Sequence, residues 1–213
     1  MNQLKRINIM GAAGAGVSTL GRALAQRIGG EHFDTDDFCW LPTDPPFRKQ
    51  REVPERLKLL EDALRGSERW VLSGSLTGWG EALVPHFDLV VFLYVSTEVR
   101  LKRLQVRERE RFGDALDPGG EMHEQHQAFL AWAAGYDEGR SEPRTLRTHE
   151  TWLATLPCPV LRLDGVAPTA GQICQVLSFR PDQPTENRGE AVLWMRTSLA
   201  SELDREQSAE VEE

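Results

Sequence analysis

The segment "DLVVFLYV", residues 88–95, is the feature that most restricts the fold of this chain. The seven residues after its aspartate are apolar without interruption, so a strand built from them has no face suited to water. Strands buried on both faces are typical of the centre of a parallel sheet that helices cover on either side. The segment therefore predicts an α/β protein.

Other segments fit the same architecture. Four further short apolar runs are predicted to be strands, at residues 6–10, 31–35, 70–75 and 158–165. Helical stretches are predicted at residues 18–28, 52–66, 96–112, 121–135, 145–156 and about 169–179. Because strands and helices alternate, right-handed crossovers are expected. We therefore expect a doubly wound, five-stranded parallel sheet in three layers.

Length and composition indicate one domain followed by a tail. The chain has 213 residues, which suits a single sizeable domain, predicted here over residues 1–180. Residues 181–213 are polar and acidic, and are expected to form a largely disordered tail. Within the domain, residues 112–121, "FGDALDPGGE", have the glycine and proline content of a mobile lid.

Charge and cysteine content narrow the class of protein. A formal net charge of -8 disfavours general nucleic-acid binding, which needs a basic surface. The 3 cysteines have unrelated spacings, which favours reduced thiols in a cytoplasm. No apolar run of signal length precedes the first glycines, and no membrane association is expected. The predicted protein is cytoplasmic, a monomer or a homodimer.

A loop of small residues follows the first predicted strand and leads into an amphipathic helix. It fits the phosphate-binding signature G-x-x-x-x-G-K-[ST] at Gly11, Gly16 and Ser18. Backbone amides in such a loop converge on one cavity, and the helix dipole adds positive potential there. A plain tight turn is the alternative. The residues predicted to cradle a nucleotide are Gly11, Ala12, Ala13, Gly14, Ala15, Gly16, Val17, Ser18 and Thr19.

Val17 stands where the signature has its lysine. The lysine would place a point charge on the β- and γ-phosphates and stabilise charge during transfer, which valine cannot do. Backbone amides and Mg²⁺ held by Ser18 would still bind a nucleotide. The substitution therefore weakens the case for catalysis more than the case for binding.

Replacement charge is available from arginines. Arg100, Arg103, Arg107 and Arg111 fall at three- and four-residue spacings, so they share a helical face just before the predicted lid. A salt-bridged, solvated face is the alternative to an anion clamp. Beyond the lid, the further candidates are Arg140, Arg144 and Arg147. Arg103, Arg107 and Arg144 are predicted to supply the catalytic charge.

Over roughly residues 5–180, the chain resembles the small P-loop kinases, the group of adenylate, shikimate and gluconate kinases, and bacterial adenylate kinase-related ATPases. The resemblance rests on "GAAGAGVST", "FDTDDFCW" and "WVLSGS", and on the arginine helix with its lid. It implies a sheet in the order 2-3-1-4-5, a lid that closes over ATP, and lid arginines that stabilise the transferred phosphoryl group.

The same resemblance assigns roles to two aspartates. Asp34 and Asp36 match an acidic pair that assists Mg²⁺ or orients the acceptor hydroxyl, and Ser18 with Asp36 is the predicted metal pair. Carboxylates suit both tasks because they accept protons and are hard oxygen ligands. A capped turn that leaves the strand is the alternative.

Ser73, Gly74 and Ser75 end the third predicted strand, at the sheet edge where open α/β sheets bind ligands. We expect them to contact the acceptor, with Trp79 as a wall, although an ordinary turn is the alternative. The predicted function is transfer of the ATP γ-phosphoryl group to a small acceptor bearing a hydroxyl or phosphate group. The alternative is a catalytically weak or inactive nucleotide-binding regulator.

Overall fold

Parallel strands form one five-stranded sheet in the computed structural model, which describes residues 4–180. The strands are β1 Arg6–Gly11, β2 Glu31–Asp34, β3 Trp70–Ser73, β4 Leu89–Tyr94 and β5 Val160–Asp164. Their order across the sheet is β2-β3-β1-β4-β5, which confirms the predicted fold class. The predicted tail, residues 181–213, lies outside the described residues.

Helices cover both sides of the sheet. They are α1 Val17–Ile28, α2 Thr35–Cys39, α3 Val53–Arg65, α4 Thr97–Phe112, α5 His123–Ala134, α6 Leu146–Ala154 and α7 Thr169–Ser178. The sequence analysis missed α2, which begins directly after β2 because the Asp34 side chain caps its first turn. A 3-10 helix, Gly113–Leu116, lies within the predicted lid.

The apolar core lies in two clusters, one on each face of the sheet. Along β4, Val90 and Phe92 belong to one cluster, while Val91 and Leu93 belong to the other. All four side chains are at most 1% exposed, so the central strand is buried on both faces as predicted.

The central position of β1 determines where the loops meet. Its residue Ile9 pairs with Ser73 at the end of β3, and Gly11 pairs with Leu93 near the end of β4. Because the strands are parallel, the chain leaves all three at the same edge of the sheet. The glycine loop, the turn after β3 and the start of α4 are therefore neighbours.

Within residues 4–180, none of the helices combines the length and the apolar character needed to cross a membrane.

Replacing Gly21 by alanine tests the packing of α1 on the sheet. A Cβ atom at this position would lie 2.1 Å from Ser73 Oγ and 2.8 Å from His32 Nε2. We expect Gly21→Ala to lower the free energy of unfolding by about 1–3 kcal/mol, measured by urea denaturation.

Gly171→Ala in α7 is the matched control. No atom lies within 4 Å of the Cβ that it would add, so we expect no loss of stability. Equal effects of the two substitutions would contradict the close packing of α1.

Candidate active site

The loop between β1 and α1 lies tightly against its neighbours. Gly16 has φ 97°, a left-handed conformation that favours glycine, and forms the N-cap of α1. A Cβ atom on Gly14 would lie 2.8 Å from the backbone oxygen of Arg100, so the loop rests directly on the first turn of α4. The small residues are therefore required by both backbone conformation and space.

Backbone amides dominate the chemistry of this loop. The Ala15 N–H donates to Ala12 O at 3.0 Å, which closes a turn before the helix. Gly16 supplies no side-chain cap to the first turn of α1. Amides in a helix's first turn lack partners within the helix and lie at the positive end of its dipole. Such a loop can bind phosphate oxygens.

Val17 contributes packing at the position where the loop signature has lysine. Its side chain packs against the apolar cluster that contains Ile9 and Leu93. A Cβ atom on Gly11 would lie 3.3 Å from Val17 Cγ2, so the valine methyl group lies beside the end of β1. Positive charge for a phosphate must therefore come from other residues.

Asp34 joins the loop to the second strand. Ser18 Oγ donates to Asp34 Oδ2 at 2.5 Å, and the Asp36 amide donates to Asp34 Oδ1 at 3.1 Å. Asp34 is thus both the cap of α2 and the hydrogen-bond partner of the loop serine. The predicted metal pair was Ser18 with Asp36, whereas the carboxylate on Ser18 is that of Asp34.

This junction has oxygen donors of the kind that Mg²⁺ prefers. A hydroxyl and a carboxylate suffice where phosphate oxygens and water complete the shell. Among residues 4–180, no group of three or more His, Cys, Asp or Glu side chains is arranged to hold a metal ion. The donor set therefore fits Mg²⁺ bound together with a phosphate ligand better than a metal held by the protein alone.

Asp36 lies in a field of opposing charges. The residue is exposed at the surface, but the protein atoms packed around its carboxyl displace water and raise its pKa, and the nearby Asp34 carboxylate raises it further. Arg144 and Arg107 oppose this shift, together with a hydrogen bond from the Trp40 side chain. Three residues predicted from distant segments of the sequence therefore interact electrostatically: Asp36, Arg107 and Arg144.

The arginines of α4 have separate environments. Arg103 Nη1 donates to Gly165 O at 3.1 Å and makes a longer contact of 3.5 Å with Ala15 O. Arg107 donates to Glu108 Oε1 at 2.7 and 2.9 Å, and the Arg111 guanidinium lies 4.8 Å from the centre of the Phe47 ring. The predicted arginine face is therefore divided among the loop, an ion pair and an aromatic contact.

Arg100 is fully buried, although the sequence analysis grouped it with the phosphate-facing arginines. Its guanidinium donates to Ala13 O at 3.3 Å and to Ala133 O at 3.0 Å. It also pairs with Asp137, 3.4 Å away. These acceptors compensate for the loss of water, and Arg100 supports the loop from beneath rather than facing a ligand.

The turn after β3 uses its serine hydroxyls internally. Ser73 Oγ donates to Val17 O at 3.3 Å and lies 2.9 Å from His32 Nε2. Ser75 is 3% exposed and lies 3.1 Å from His149 Nε2. Gly74 between them has φ 114°, a left-handed conformation that favours glycine. Its N–H donates to Ile9 O at 2.9 Å and its carbonyl accepts from Asn8 Nδ2 at 3.1 Å, so the turn is held to β1 through its backbone.

Trp79 is buried and anchored in the same turn. Its indole N–H donates to Ser75 O at 3.1 Å. The guanidinium of Arg56 lies 5.1 Å from the centre of the indole ring, within the range of a cation–π interaction. The predicted wall therefore carries a positive charge on one face.

Two arginines near this wall were missed by the sequence analysis. Arg56 is 7% exposed, and its Nη2 donates to Arg51 O at 2.9 Å. Among residues 4–180, no hydrogen-bond acceptor serves Nε of Arg56 or Nε and Nη1 of Arg51, although these atoms are buried. The available signal was the spacing of Arg56, Leu60 and Leu64, which puts an arginine on the buried stripe of α3.

The charges of this region also affect the pKa of the Cys39 thiol. Burial raises the pKa of its thiol, while Arg56 and Arg144 act in the opposite direction. Arg144 lies beyond the lid in sequence and Arg56 lies on α3. Positive side chains from two distant elements thus converge on the side of the site that contains α2.

The predicted lid touches the segment between α2 and α3. Arg48 Nη2 donates to Glu121 O at 3.2 Å, and Gln125 Nε2 donates to Pro46 O at 3.2 Å. Arg111 adds the contact with Phe47 described above. The segment that carries Arg48 is therefore in contact with the end of the predicted lid and with α4 and α5 on either side of it.

A family model described as "AAA domain" matches residues 7–126. The uncharacterized protein YqaC of Bacillus subtilis is 45% identical over 175 residues, covering 82% of this chain and 97% of that protein. A shikimate kinase of Thermosynechococcus vestitus is 32% identical over 171 residues, covering 71% of this chain and 90% of the relative.

Solved structures show the same fold. A shikimate kinase from Bacteroides thetaiotaomicron superimposes with a TM-score of 0.51 at 18% identity, covering 83% of this chain and 99% of that chain. At this identity the likeness concerns the fold alone, whereas the sequence relatives establish the family.

Asp36 provides a test of the site's electrostatics. Because the Asp34 carboxylate raises the pKa of Asp36, Asp34→Asn should lower the titration midpoint of Asp36. Side-chain ¹³C NMR titration measures the midpoint directly.

Arg144→Ala is the control of opposite sign. The arginine lowers the pKa of Asp36, so its removal should move the midpoint upward. A midpoint that neither substitution changes would contradict the arrangement of these three residues.

Proposed function

The chain belongs to the small P-loop kinases, and on that premise we propose that it binds ATP at residues 11–19 and transfers the γ-phosphoryl group to a small acceptor. The acceptor bears a hydroxyl or phosphate group at the transfer position. The observation that carries the proposal is the direct hydrogen bond between Ser18 of the loop and Asp34, beside the carboxyl of Asp36. It brings phosphate-binding amides and a proton acceptor to one place.

Asp36 is the group that we assign to the acceptor hydroxyl. Both carboxylate oxygens of Asp34 accept hydrogen bonds from the protein, which leaves Asp36 better suited to orient a ligand. A raised pKa makes its carboxylate a stronger proton acceptor than an ordinary aspartate. Phosphoryl transfer itself needs little beyond such positioning and electrostatic stabilisation.

Ser18 and Asp34 would hold Mg²⁺ together with the nucleotide phosphates, while Asp36, the other residue of the predicted metal pair, is assigned to the acceptor hydroxyl. When bound, the ion would supply positive charge that neutralises the phosphates. The protein's own contribution is the alignment of the Ser18 hydroxyl and the Asp34 carboxylate, which are already in contact.

Arginines take the place of the loop lysine in this proposal. Arg107 and Arg144 both influence Asp36, so their charge is felt where the acceptor and the γ-phosphoryl group would meet. Arg103 is held at the loop by Ala15 and Gly165. Guanidinium groups suit this task because they bind phosphate oxygens in pairs and stay charged at every physiological pH.

The acceptor itself is proposed to carry a negative group, a carboxylate or a phosphate. Nε of Arg56 and Nη1 of Arg51 are buried without a hydrogen-bond acceptor in residues 4–180, and Arg51 Nε has only a long ion pair, 3.9 Å from Glu55 Oε1. Arg144 acts on the same region. A buried donor without an acceptor is costly, and an anionic ligand would satisfy it.

Activity assays with labelled ATP, Mg²⁺ and paired acceptors test this proposal. Nucleotides are compared with nucleosides, and sugar acids with the corresponding alcohols. We expect transfer to anionic acceptors, and we expect Arg56→Met to raise the acceptor KM by about 10- to 100-fold because a charged hydrogen bond is lost. The KM for ATP should not change.

Arg65→Met, at the exposed end of the same helix, is the control and should leave both KM values unchanged. Tight ATP binding without labelled acceptor or hydrolysis would instead favour a nucleotide-binding regulator, the reading that Val17 supports. Absence of ATP binding would reject both functions.

A charge-replacement experiment tests the role of the arginines. Arg107→Ala should lower kcat by at least about tenfold, since phosphoryl transfer depends on charge stabilisation. Val17→Lys, introduced into the Arg107→Ala protein, should restore part of the lost turnover. Lys102→Ala removes an exposed charge from α4 and should have no effect. Unchanged turnover in Arg107→Ala would refute the proposed compensation.

A further inference from the structure

A buried chain of hydrogen bonds leads from Tyr136, just after α5, to the turn after β3. Tyr136 Oη lies 2.7 Å from His149 Nδ1, and His149 Nε2 lies 3.1 Å from Ser75 Oγ. Ser75 Oγ then donates to Thr77 Oγ1 at 3.0 Å. Tyr136, His149 and Ser75 are each at most 3% exposed. The catalytic roles proposed above use neither Tyr136 nor His149.

The direction of donation follows from the last bond. A neutral imidazole has one N–H donor and one acceptor nitrogen, so with Ser75 donating to Thr77 the assigned tautomer has the proton on Nε2, which donates to Ser75 Oγ. Nδ1 then accepts from the Tyr136 hydroxyl. Burial and the charge of Arg144 lower the pKa of His149 to about 4, which keeps the imidazole neutral. Burial beside Asp137 raises the pKa of Tyr136, which keeps its proton in place.

The other end of the chain reaches the glycine loop. The Arg100 guanidinium lies 5.1 Å from the centre of the Tyr136 ring and pairs with Asp137, the next residue. The same guanidinium donates to Ala13 O at 3.3 Å. A continuous set of contacts therefore runs from Ala13 through Arg100, Tyr136 and His149 to Ser75.

One peptide unit links this chain to a ligand of the loop. In a trans peptide, the carbonyl of Ala13 and the amide of Gly14 point in opposite directions. The carbonyl points to Arg100, so the Gly14 N–H points away from it. A phosphate oxygen bound by that amide would polarise the peptide and strengthen the bond from Arg100, since hydrogen bonds in series reinforce one another.

We propose that Tyr136 and His149 are positioning residues that couple nucleotide binding at residues 11–19 to the conformation of the acceptor turn, residues 74–79. This inference rests on the proposed function, because it requires a phosphate ligand in the loop. The turn contains Trp79, the predicted wall of the acceptor site, whose indole N–H donates to Ser75 O, so its order affects how the acceptor is held. By linkage, nucleotide and acceptor then change each other's affinity by the same factor.

Hydrogen exchange of the full chain, with and without Mg-ATP, tests the coupling. In the wild-type protein, ATP should slow amide exchange both in residues 11–19 and in residues 74–79, the latter by about fivefold or more. Tyr136→Phe removes one hydroxyl and keeps the ring. It should preserve the protection of residues 11–19 and reduce the response of residues 74–79 to less than about twofold.

Two further variants make the outcome decisive. Ser75→Ala breaks the chain of hydrogen bonds at the end near β3. It should abolish the slowing of amide exchange in residues 74–79 by ATP. Thr155→Val removes a hydroxyl from the end of α6, the helix that carries His149, where it donates to Trp152 O, and should retain the response. Equal losses in Tyr136→Phe and Thr155→Val, or a full response in both Tyr136→Phe and Ser75→Ala, would overturn the route.

The experiment also separates this inference from the proposed function. Wild-type protection of residues 11–19 without any change in residues 74–79 would overturn the coupling and leave nucleotide binding intact. An absence of protection at residues 11–19 would contradict nucleotide binding itself, and the coupling with it.

Discussion

The pairing of β1 with β3 on one side and β4 on the other is the constraint on which the candidate site depends. The register joins Ile9 to Ser73 and Gly11 to Leu93, so three strands end at one level. Parallel strands release the chain in one direction. The glycine loop, the turn after β3 and the first turn of α4 therefore meet, although about 60 to 80 residues separate them.

Arg100 illustrates how this meeting point is stabilised. A buried guanidinium is tolerated only where acceptors surround it, and here the loop, α5 and Asp137 supply them. Arg100 donates to the Ala13 carbonyl of the loop and leaves the loop amides available to a ligand. The neighbouring arginines on α4 have other partners because each lies about one turn farther along the helix, next to different elements.

The absence of lysine from the loop is consistent with this arrangement. Val17 packs on the core, and positive side chains approach from α3, α4 and the segment beyond the lid. When the positive charge comes from side chains on several elements, its position depends on how those elements pack together. The position of a lysine in the loop would depend on the loop alone. In the proposed kinase, correct packing would thus be a condition for catalysis.

Local patterns in the sequence were enough to predict the strands, most helices and the glycine loop, because periodicity and turn residues act over a few neighbours. Asp34 and Asp36 were singled out by resemblance, and their roles stay a prediction. Only the folded chain shows that Asp34 contacts Ser18, that Arg100 is buried, and that Arg56 and His149 lie beside the turn after β3. Such contacts join residues far apart in the chain. They depend on the crossovers that order the strands, which no local pattern specifies.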